Sequence, residues 1–204
     1  MKKILYTLAL AATLWSCKTG SSTGAAKSNT VEVNINLVDV KDDKVLVTVT
    51  PPQIKTDEVV YSIPKTVPGT YSTDNYGKYS DGFKAFDAKG NELTVKRIDD
   101  NSWSISDAKK LKKVTYLVGD TFDTEKGTGF GNDDVFSPAG TNINAGVNFM
   151  VNTHGFVGYF QDKLDVPYKV TITHPETLWG ATSMTDEDAS KTSDVFTTPR
   201  YAVL

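Results

Sequence analysis

The chain has 204 residues, of which 39% are hydrophobic and 23% are charged, values typical of one soluble globular domain. Its formal net charge is -3 at pH 7. Because nucleic-acid-binding proteins usually present a basic face, we expect no nucleic-acid partner.

The N-terminus has the features of a lipoprotein signal peptide over residues 1–16. The positive "MKK" precedes an apolar run, "ILYTLALAATLW", which is shorter than the roughly 20 residues of a membrane span. The run ends at "LWSC", which resembles a bacterial lipobox, so we expect Cys17 to be lipidated and to become the mature N-terminus. A conventional cleaved signal with an incidental cysteine is the alternative.

The cysteine content is consistent with lipidation. Cys17 is the only cysteine, so no intramolecular disulfide can form, and acylation would account for the free thiol. An acylated chain is anchored to a membrane without crossing it. Residues 17–30 are small and polar and predict a flexible tether. We therefore expect an exported protein, lipid-anchored to the bacterial cell envelope on the periplasmic or surface-facing side.

From Val31 onward, short runs with a period of two predict strands. The runs "VEVNINLVDV" and "VLVTVT" flank the turn signal "KDDK" and predict a hairpin over residues 31–50. The segments "FKAFD", "AKGN" and "ELTVKRI" predict a strand–turn–strand unit. Further predicted strands are "VVYSI", "SWSIS", "KKVTYLV", "VNFMV", "FVGYF" and "YKVTITH", and "TTPRYAVL" is also strand-like. This spacing predicts an all-β fold, an antiparallel β-sandwich over residues 31–204.

A long connection, residues 119–146, interrupts the strands. Its "GTGFG" could cradle a phosphate, but no strand leads directly into it and no helix follows it. Its carboxylates could bind calcium, but they lack the ligand spacing of a helix–loop–helix site; they are Asp120, Asp123, Glu125, Asp133 and Asp134. We favour a solvated loop that is held by a few aromatic residues, such as Phe130 and Phe136.

Catalytic constellations are scarce. His154 and His174 are twenty positions apart on strand-edge or loop sequence, so we expect both to be hydrogen-bonded structural residues. The Asp-Asp pairs at 42–43, 99–100 and 133–134 lie at turn signals and are typical of turns. No Gly-x-Ser-x-Gly elbow occurs. We predict no catalytic residue, metal site or cofactor in this chain.

Motifs in order along the chain are similar to those of a known family. A Pro-Gly-x-Tyr turn after a strand matches at Pro68, Gly69 and Tyr71. Hairpin and strand motifs match at Phe83, Ala85, Asp87, Gly90, Leu93, Asn101 and Trp103. Later segments match at "VFSPAGTNI", at "NTHGFVGYF" with Gly158–Phe160, and at "YKVTITHPETLWGATSM". Over about residues 31–200 the chain resembles the N-terminal domain of glycyl-aminopeptidase-type metallopeptidases, the family sixty-one peptidases, which often carry a PDZ domain.

The resemblance implies a non-catalytic domain of a zinc aminopeptidase-like protein. The His-Glu-x-x-His motif and the helical catalytic domain of that family are absent from this sequence. Zinc is therefore expected only in a catalytic domain, present in cis or in trans as a partner, on which this domain packs and whose cleft it helps to shape. The family's usual tryptophan before the Pro-Gly turn is also missing.

The resemblance suggests a role for the aromatic residues around the Pro-Gly turn. The predicted docking face for the catalytic domain consists of Pro68, Gly69, Tyr71, Tyr76, Tyr79, Phe156 and Tyr159. The alternative is that these rings close one end of the sandwich. A competing function is a stand-alone envelope lipoprotein that binds peptides or glycans, for which Trp179 is the candidate exposed platform, whereas Trp103 is predicted in the core.

Overall fold

The computed structural model describes residues 29–70, 72–122, 135 and 139–204. The predicted signal peptide, Cys17, most of the tether and Tyr71 lie outside the described residues. The described strands are β1 (Val31–Lys41), β2 (Lys44–Thr50), β3 (Glu58–Ser62), β4 (Ser80–Asp87), β5 (Val95–Arg97), β6 (Ser102–Ser106), β7 (Leu111–Gly119), β8 (Asn142–Asn144), β9 (Asn148–Met150), β10 (Tyr159–Phe160), β11 (Tyr168–Thr173) and β12 (Ser193–Thr198). The described helices are α1 (Thr153–Phe156) and 3-10 turns at Tyr76–Tyr79, Ala108–Lys110 and Tyr201–Val203.

The strands form three sheets, which confirms the prediction of a mostly β fold. The largest has the order β12-β11-β1-β2-β7-β4, the second the order β10-β3-β6-β5, and β8 pairs with β9. Among the described strands all pairings are antiparallel except β1 with β11, which is parallel and aligns Val31 with Tyr168. The prediction of an antiparallel arrangement is wrong for that pair. A period of two records which face a side chain occupies, not the direction of a neighbouring strand.

The predicted hairpin over residues 31–50 is confirmed. From Val31 to Leu37 of β1 the apolar residues are buried and alternate with more exposed polar ones, as the period of two requires. At the turn, Asp42 and Asp43 have φ values of 49° and 51°. Two consecutive positive φ values are those of a type I′ turn, whose twist matches that of the flanking strands.

The strand–turn–strand unit that was predicted around "AKGN" is a link between the two larger sheets. Its turn forms as expected: the Asp87 carboxylate accepts hydrogen bonds from the backbone N–H groups of Lys89 (2.8 Å) and Asn91 (2.9 Å). The strands then diverge, because β4 pairs with β7 whereas β5 pairs with β6. Near the turn, an isolated β-bridge between Phe86 and Glu92 and the hydrogen bond from Leu93 N–H to the Ala85 carbonyl still join the two arms.

Aromatic rings join the two larger sheets. Phe83 of β4 stacks on Trp103 of β6, with ring centroids 4.6 Å apart and planes inclined by 4°. Tyr61 of β3 contacts Tyr116 of β7, with ring centroids 5.8 Å apart. Trp103 is buried, as predicted. The core therefore lies where side chains of the six-stranded and four-stranded sheets meet.

Two segments depart from their predicted strand structure. "FVGYF" contributes only the two residues of β10, because Phe156 ends the short helix α1. In "TTPRYAVL", β12 ends at Thr198, before Pro199, which has no N–H for the ladder. A 3-10 turn follows, and the Tyr201 hydroxyl donates to the Val157 carbonyl at 2.7 Å. Within the described residues, no helix has the length and apolar character to cross a bilayer.

Candidate functional site

The structure divides the predicted docking face between interior and surface. Phe156 is fully buried and Tyr76 is 2% exposed, so both belong to the chain's own core. A ring that is buried in this way offers little area to a partner, and the docking role of Tyr76 and Phe156 stays a prediction. Pro68 and Gly69 are exposed, and Tyr79 and Tyr159 are half-buried.

Tyr76 is held inside by a buried carboxylate. Its hydroxyl donates to Asp74 Oδ2 at 2.8 Å, and Ser72 Oγ donates to Asp74 Oδ1 at 2.6 Å. The Tyr76 ring contacts the His154 ring, with centroids 4.6 Å apart. Burial, followed by the hydrogen bond to Asp74, raises the pKa of Tyr76 well above its ordinary value. The phenol therefore stays neutral and acts as a hydrogen-bond donor.

A chain of hydrogen bonds fixes the backbone around Phe156. Gly158 N–H donates to the Tyr61 hydroxyl at 2.9 Å, and the Tyr116 hydroxyl donates to the Phe156 carbonyl at 2.7 Å. The two tyrosine hydroxyls are 2.8 Å apart. Because an amide only donates and a carbonyl only accepts, Tyr61 donates to Tyr116. Burial raises the pKa of both phenols, so both keep their protons.

We call the buried rings of Tyr61, Tyr76, Tyr116 and Phe156 the aromatic end. Every hydroxyl in this group has a hydrogen-bond partner: the Tyr61 and Tyr116 hydroxyls pair with each other, Tyr116 also donates to the Phe156 carbonyl, and Tyr76 donates to the Asp74 carboxylate. A β-carbon at Gly158 would overlap the Tyr61 ring and the Ser62 carbonyl, which explains the glycine there. The buried members thus serve the packing and hydrogen bonding of the chain's own core.

The exposed members of the predicted docking face lie along one loop and one strand edge. Gly69 has φ of 98°, a left-handed conformation that favours glycine, and Thr70 N–H donates to Val67 O at 3.3 Å. Tyr159 pairs with Ser62 at the edge of the four-stranded sheet, and its ring contacts that of Tyr201 with centroids 4.9 Å apart. The docking role of Pro68, Gly69, Tyr79 and Tyr159 stays a prediction.

A second feature is an open cavity of about 410 Å³ beside Trp179, which we call the Trp179 cavity. Its apolar wall comes from three strands of the six-stranded sheet and from the segment around β9; it includes Leu37, Phe149, Val151, Val170, Ile172 and Phe196. Trp179 also lines it and is 81% exposed, as the sequence predicted, and Val147 is 60% exposed. Exposed large apolar residues grouped at a concave surface are typical of a binding site.

Two polar side chains lie in the wall of the Trp179 cavity. His174 follows β11, and its Nδ1 is 3.0 Å from the Pro175 carbonyl oxygen. Its Nε2 is 3.5 Å from Oδ1 of Asp194, on β12. The Asp194 carboxylate also abuts the backbone of Gly180, where a β-carbon would overlap Oδ2. The predicted structural role of His174 is confirmed, but its position beside a cavity was not foreseen.

His154 also has the predicted structural role. Its Nε2 is 2.9 Å from the Ala139 carbonyl oxygen, to which the neutral ring donates. Burial is the main influence on this ring and lowers the pKa of His154. Among the described residues, no group of three or more His, Cys, Asp or Glu side chains could hold a metal ion.

The 119–146 connection is described only in part. Asp120 accepts hydrogen bonds from the backbone N–H groups of Phe122 (2.6 Å) and Ile143 (2.5 Å), so its oxygens organise the chain itself. The other candidate calcium ligands, Phe130, Phe136 and "GTGFG" lie outside the described residues. Of the predicted turn pairs, the one at 42–43 is confirmed, 99–100 lies in a bend, and 133–134 is likewise outside.

Comparison with known proteins places this fold in a family. The model of the Peptidase M61 N-terminal domain matches residues 32–204. This chain belongs to that family. Among solved structures, an aminopeptidase N family protein from Idiomarina loihiensis superposes with a TM-score of 0.69 at 21% sequence identity. The match covers 85% of this chain but 28% of the other, so the chain corresponds to under a third of that protein. No curated protein sequence matches the chain.

Family membership confirms the resemblance drawn from the Pro-Gly turn and the later motifs, but it leaves the Trp179 cavity without an assigned role. The sequence carried one signal for this cavity, a tryptophan in a polar stretch. The histidine and the carboxylate beside it are twenty residues apart in the chain, and only the pairing of β11 with β12 brings them together. Such a pair has no sequence motif.

Proposed function

We propose that this chain is the non-catalytic N-terminal domain of a lipid-anchored, zinc aminopeptidase-like protein, and that it packs on a catalytic domain and shapes access to its cleft. The main support is the family match over residues 32–204, together with a structural neighbour of which the match covers 28%. Zinc would belong to the catalytic domain, because the described residues offer no group of ligands for it.

The surface that would meet the catalytic domain is the exposed part of the predicted docking face. It consists of the Pro68–Gly69 turn with Tyr79 and Tyr159. Aromatic residues are enriched in the buried cores of protein interfaces, and a glycine turn allows close approach of a partner's backbone. The neighbouring rings of the aromatic end would hold this surface rigid without contributing contact area.

An experiment on the natural protein tests the packing. The protein is isolated from its host with an antibody to this domain, and its mass, zinc content and aminopeptidase activity are measured. A longer chain with zinc and activity supports packing in cis, and a co-purifying zinc peptidase that cross-links to Tyr159 supports packing in trans. A chain of the present length with neither activity nor such a partner would contradict the proposal.

Lipid anchoring has a separate test at Cys17. The wild-type chain should incorporate a labelled fatty acid in its bacterial host and fractionate with membranes, whereas Cys17→Ala should do neither. Ser22→Ala, in the same predicted tether, is the matched control and should behave as wild type. If Cys17→Ala still fractionates with membranes, the conventional cleaved signal becomes the better explanation of the N-terminus.

A second candidate function is a binding module, and the Trp179 cavity favours it. A highly exposed indole beside a concave apolar surface suits a stacking ligand such as a sugar ring or a peptide side chain. Titration with envelope glycans and peptides, followed by the tryptophan fluorescence, tests it. A saturable change that is lost in Trp179→Ala supports a module, and its absence favours the peptidase domain alone.

A further inference from the structure

The Trp179 cavity has the size and composition of a site for a small organic ligand. Its volume of about 410 Å³ lies in the range of roughly 300–1,000 Å³ that is usual for such sites. Strand residues such as Val170, Ile172 and Phe196 form its apolar wall. The apolar wall can bury the apolar part of a cationic, neutral or anionic ligand equally well. The polar side chains of the cavity therefore decide which ligand charge is preferred.

The charge at the cavity is negative. Of the described residues that line it, Asp194 is the only carboxylate and none is a lysine or an arginine. The Asp194 side chain is 14% exposed, so it is accessible to a ligand yet largely removed from water. A carboxylate in this position lacks much of its hydration and therefore attracts a compensating positive charge.

His174 does not supply that compensation while it is neutral. Its Nδ1 is 3.0 Å from the Pro175 carbonyl oxygen, which can only accept, so the neutral ring carries its proton on Nδ1. The buried Nε2 then bears a lone pair, and no hydrogen bond to it is found within the described structure. It faces Oδ1 of Asp194 at 3.5 Å, which leaves two acceptors side by side. A ligand that donates a hydrogen bond to the exposed part of the Asp194 carboxylate would reduce the repulsion between these two acceptors.

Trp179 adds a second attraction for positive charge. Its indole lines the same cavity and is 81% exposed, so a ligand can reach the ring. The face of an indole attracts ammonium and guanidinium groups more strongly than other aromatic side chains do. The carboxylate and the indole thus favour the same class of ligand, whereas an anion would meet only repulsion from Asp194.

We propose that the Trp179 cavity binds a small organic cation, an ammonium or guanidinium group carried on an apolar or aromatic body. The cationic group contacts Asp194 and the body lies on the apolar wall beside Trp179. The inference rests on the residues that line the cavity, none of which belongs to the predicted docking face.

The test compares three probes that differ in charge and share a phenyl ring. Phenethylammonium, 2-phenylethanol and 3-phenylpropionate are titrated calorimetrically into the purified protein in one and the same buffer. Phenethylammonium should bind saturably, about tenfold or more tighter than either other probe. No saturable binding of the cation, or equal binding of the alcohol or the anion, would overturn the proposal.

Variants locate the effect within the cavity. Asp194→Asn should abolish the preference for the cation, and Trp179→Ala should weaken cation binding by about two- to fivefold. Asp162→Asn changes an exposed carboxylate outside the cavity and should leave binding unchanged. Gly180→Ala keeps the net charge but displaces the Asp194 carboxylate, so it should also weaken cation binding. This variant serves as the test if Asp194→Asn folds poorly. An unchanged cation preference in folded Asp194→Asn or Gly180→Ala contradicts the proposal.

Discussion

The aromatic end and the Trp179 cavity use the same kinds of side chain in opposite ways. In the aromatic end, rings are buried and their hydroxyls are paired, as in the chain from Gly158 through Tyr61 and Tyr116 to Phe156. At the cavity, Trp179 is 81% exposed and the His174–Asp194 pair lacks a hydrogen bond between its members. Completed packing stabilises a fold, whereas incompletely satisfied groups at a concave surface are available for a ligand. The difference shows that aromatic content alone does not identify a functional surface.

The largest expected effect comes from removing a ring of the aromatic end. Phe156→Ala should lower the free energy of unfolding by about 3–5 kcal/mol, because it leaves a cavity in a fully buried site. Denaturant unfolding followed by circular dichroism measures it. The matched control, Val147→Ala, removes an apolar side chain that is 60% exposed and should change stability by less than about 0.5 kcal/mol. Equal effects of the two changes would contradict the contrast between the regions.

A smaller loss is expected from removing one hydroxyl of the same region. Tyr116→Phe leaves the Phe156 carbonyl without its donor and the Tyr61 hydroxyl without its acceptor, which should cost about 1–3 kcal/mol. Tyr61→Phe should cost a similar amount, since the Gly158 N–H loses its acceptor.

The double variant tests whether these hydroxyls act as one chain. Because both changes interrupt the same chain of hydrogen bonds, the loss in Tyr61→Phe with Tyr116→Phe should be smaller than the sum of the single losses. Additive losses would show that the hydroxyls act independently. Tyr159→Phe, which keeps the ring of a half-buried tyrosine outside this chain of hydrogen bonds, is the control for loss of a hydroxyl as such.

Local patterns predicted most strands, and the pairing of β1 with β2 across a short turn, but not the pairing of strands that are distant in the chain. The alternation from Val31 to Leu37 reflects burial on one face, and the turn at Asp42 and Asp43 reflects backbone geometry, so both could be recognised from sequence. The parallel pairing of β1 with β11 joins residues more than 130 positions apart. No short turn connects β1 to β11, so turn residues cannot specify this pairing. The packing of the core determines next to which strand β11 lies.

For the candidate sites, the sequence predicted the exposure or burial of single residues but not the contacts between distant ones. Trp179 lies in a polar stretch and could be recognised as exposed, whereas Trp103 alternates within a strand and could be assigned to the core. The prediction that Tyr76 and Phe156 contribute to a docking face follows from the resemblance and carries no information on the burial of each ring. The Tyr76 hydroxyl is bound by Asp74, which is close in the chain but belongs to no recognisable motif. The Phe156 carbonyl is bound by Tyr116, which lies in a distant part of the chain.

A weaker, pH-dependent effect should appear beside the aromatic end at His154. Burial lowers the pKa of this ring in the folded state, so the unfolded chain binds the proton more readily. The stability contributed by neutral His154 is complete above the ordinary pKa of about 6.5 and is lost as pH falls through the lowered folded value. His154→Gln, which can still donate to the Ala139 carbonyl, should remove this part of the pH dependence.

Unfolding free energies of the wild type and of His154→Gln, measured from neutral to acidic pH, decide the point. The wild-type curve should fall more steeply below about pH 6.5 than that of the variant. Lys78→Gln changes an exposed cation in the loop that carries Tyr76 and is expected to keep the wild-type slope. Parallel curves for the wild type and His154→Gln would mean that His154 titrates normally in the folded protein.

The smallest effect on stability is expected at the cavity, and it completes the comparison. Trp179→Ala should change the free energy of unfolding by less than about 0.5 kcal/mol, because 81% of the residue's surface remains in water after folding. The same change should remove a fluorescence component that acrylamide quenches readily, whereas buried Trp103 stays protected. A loss of several kcal/mol would show that the indole packs on the apolar wall as part of the core, and the cavity would then be a consequence of folding. An unchanged stability would leave the exposed ring without a structural role, and binding would be the remaining reason for its position.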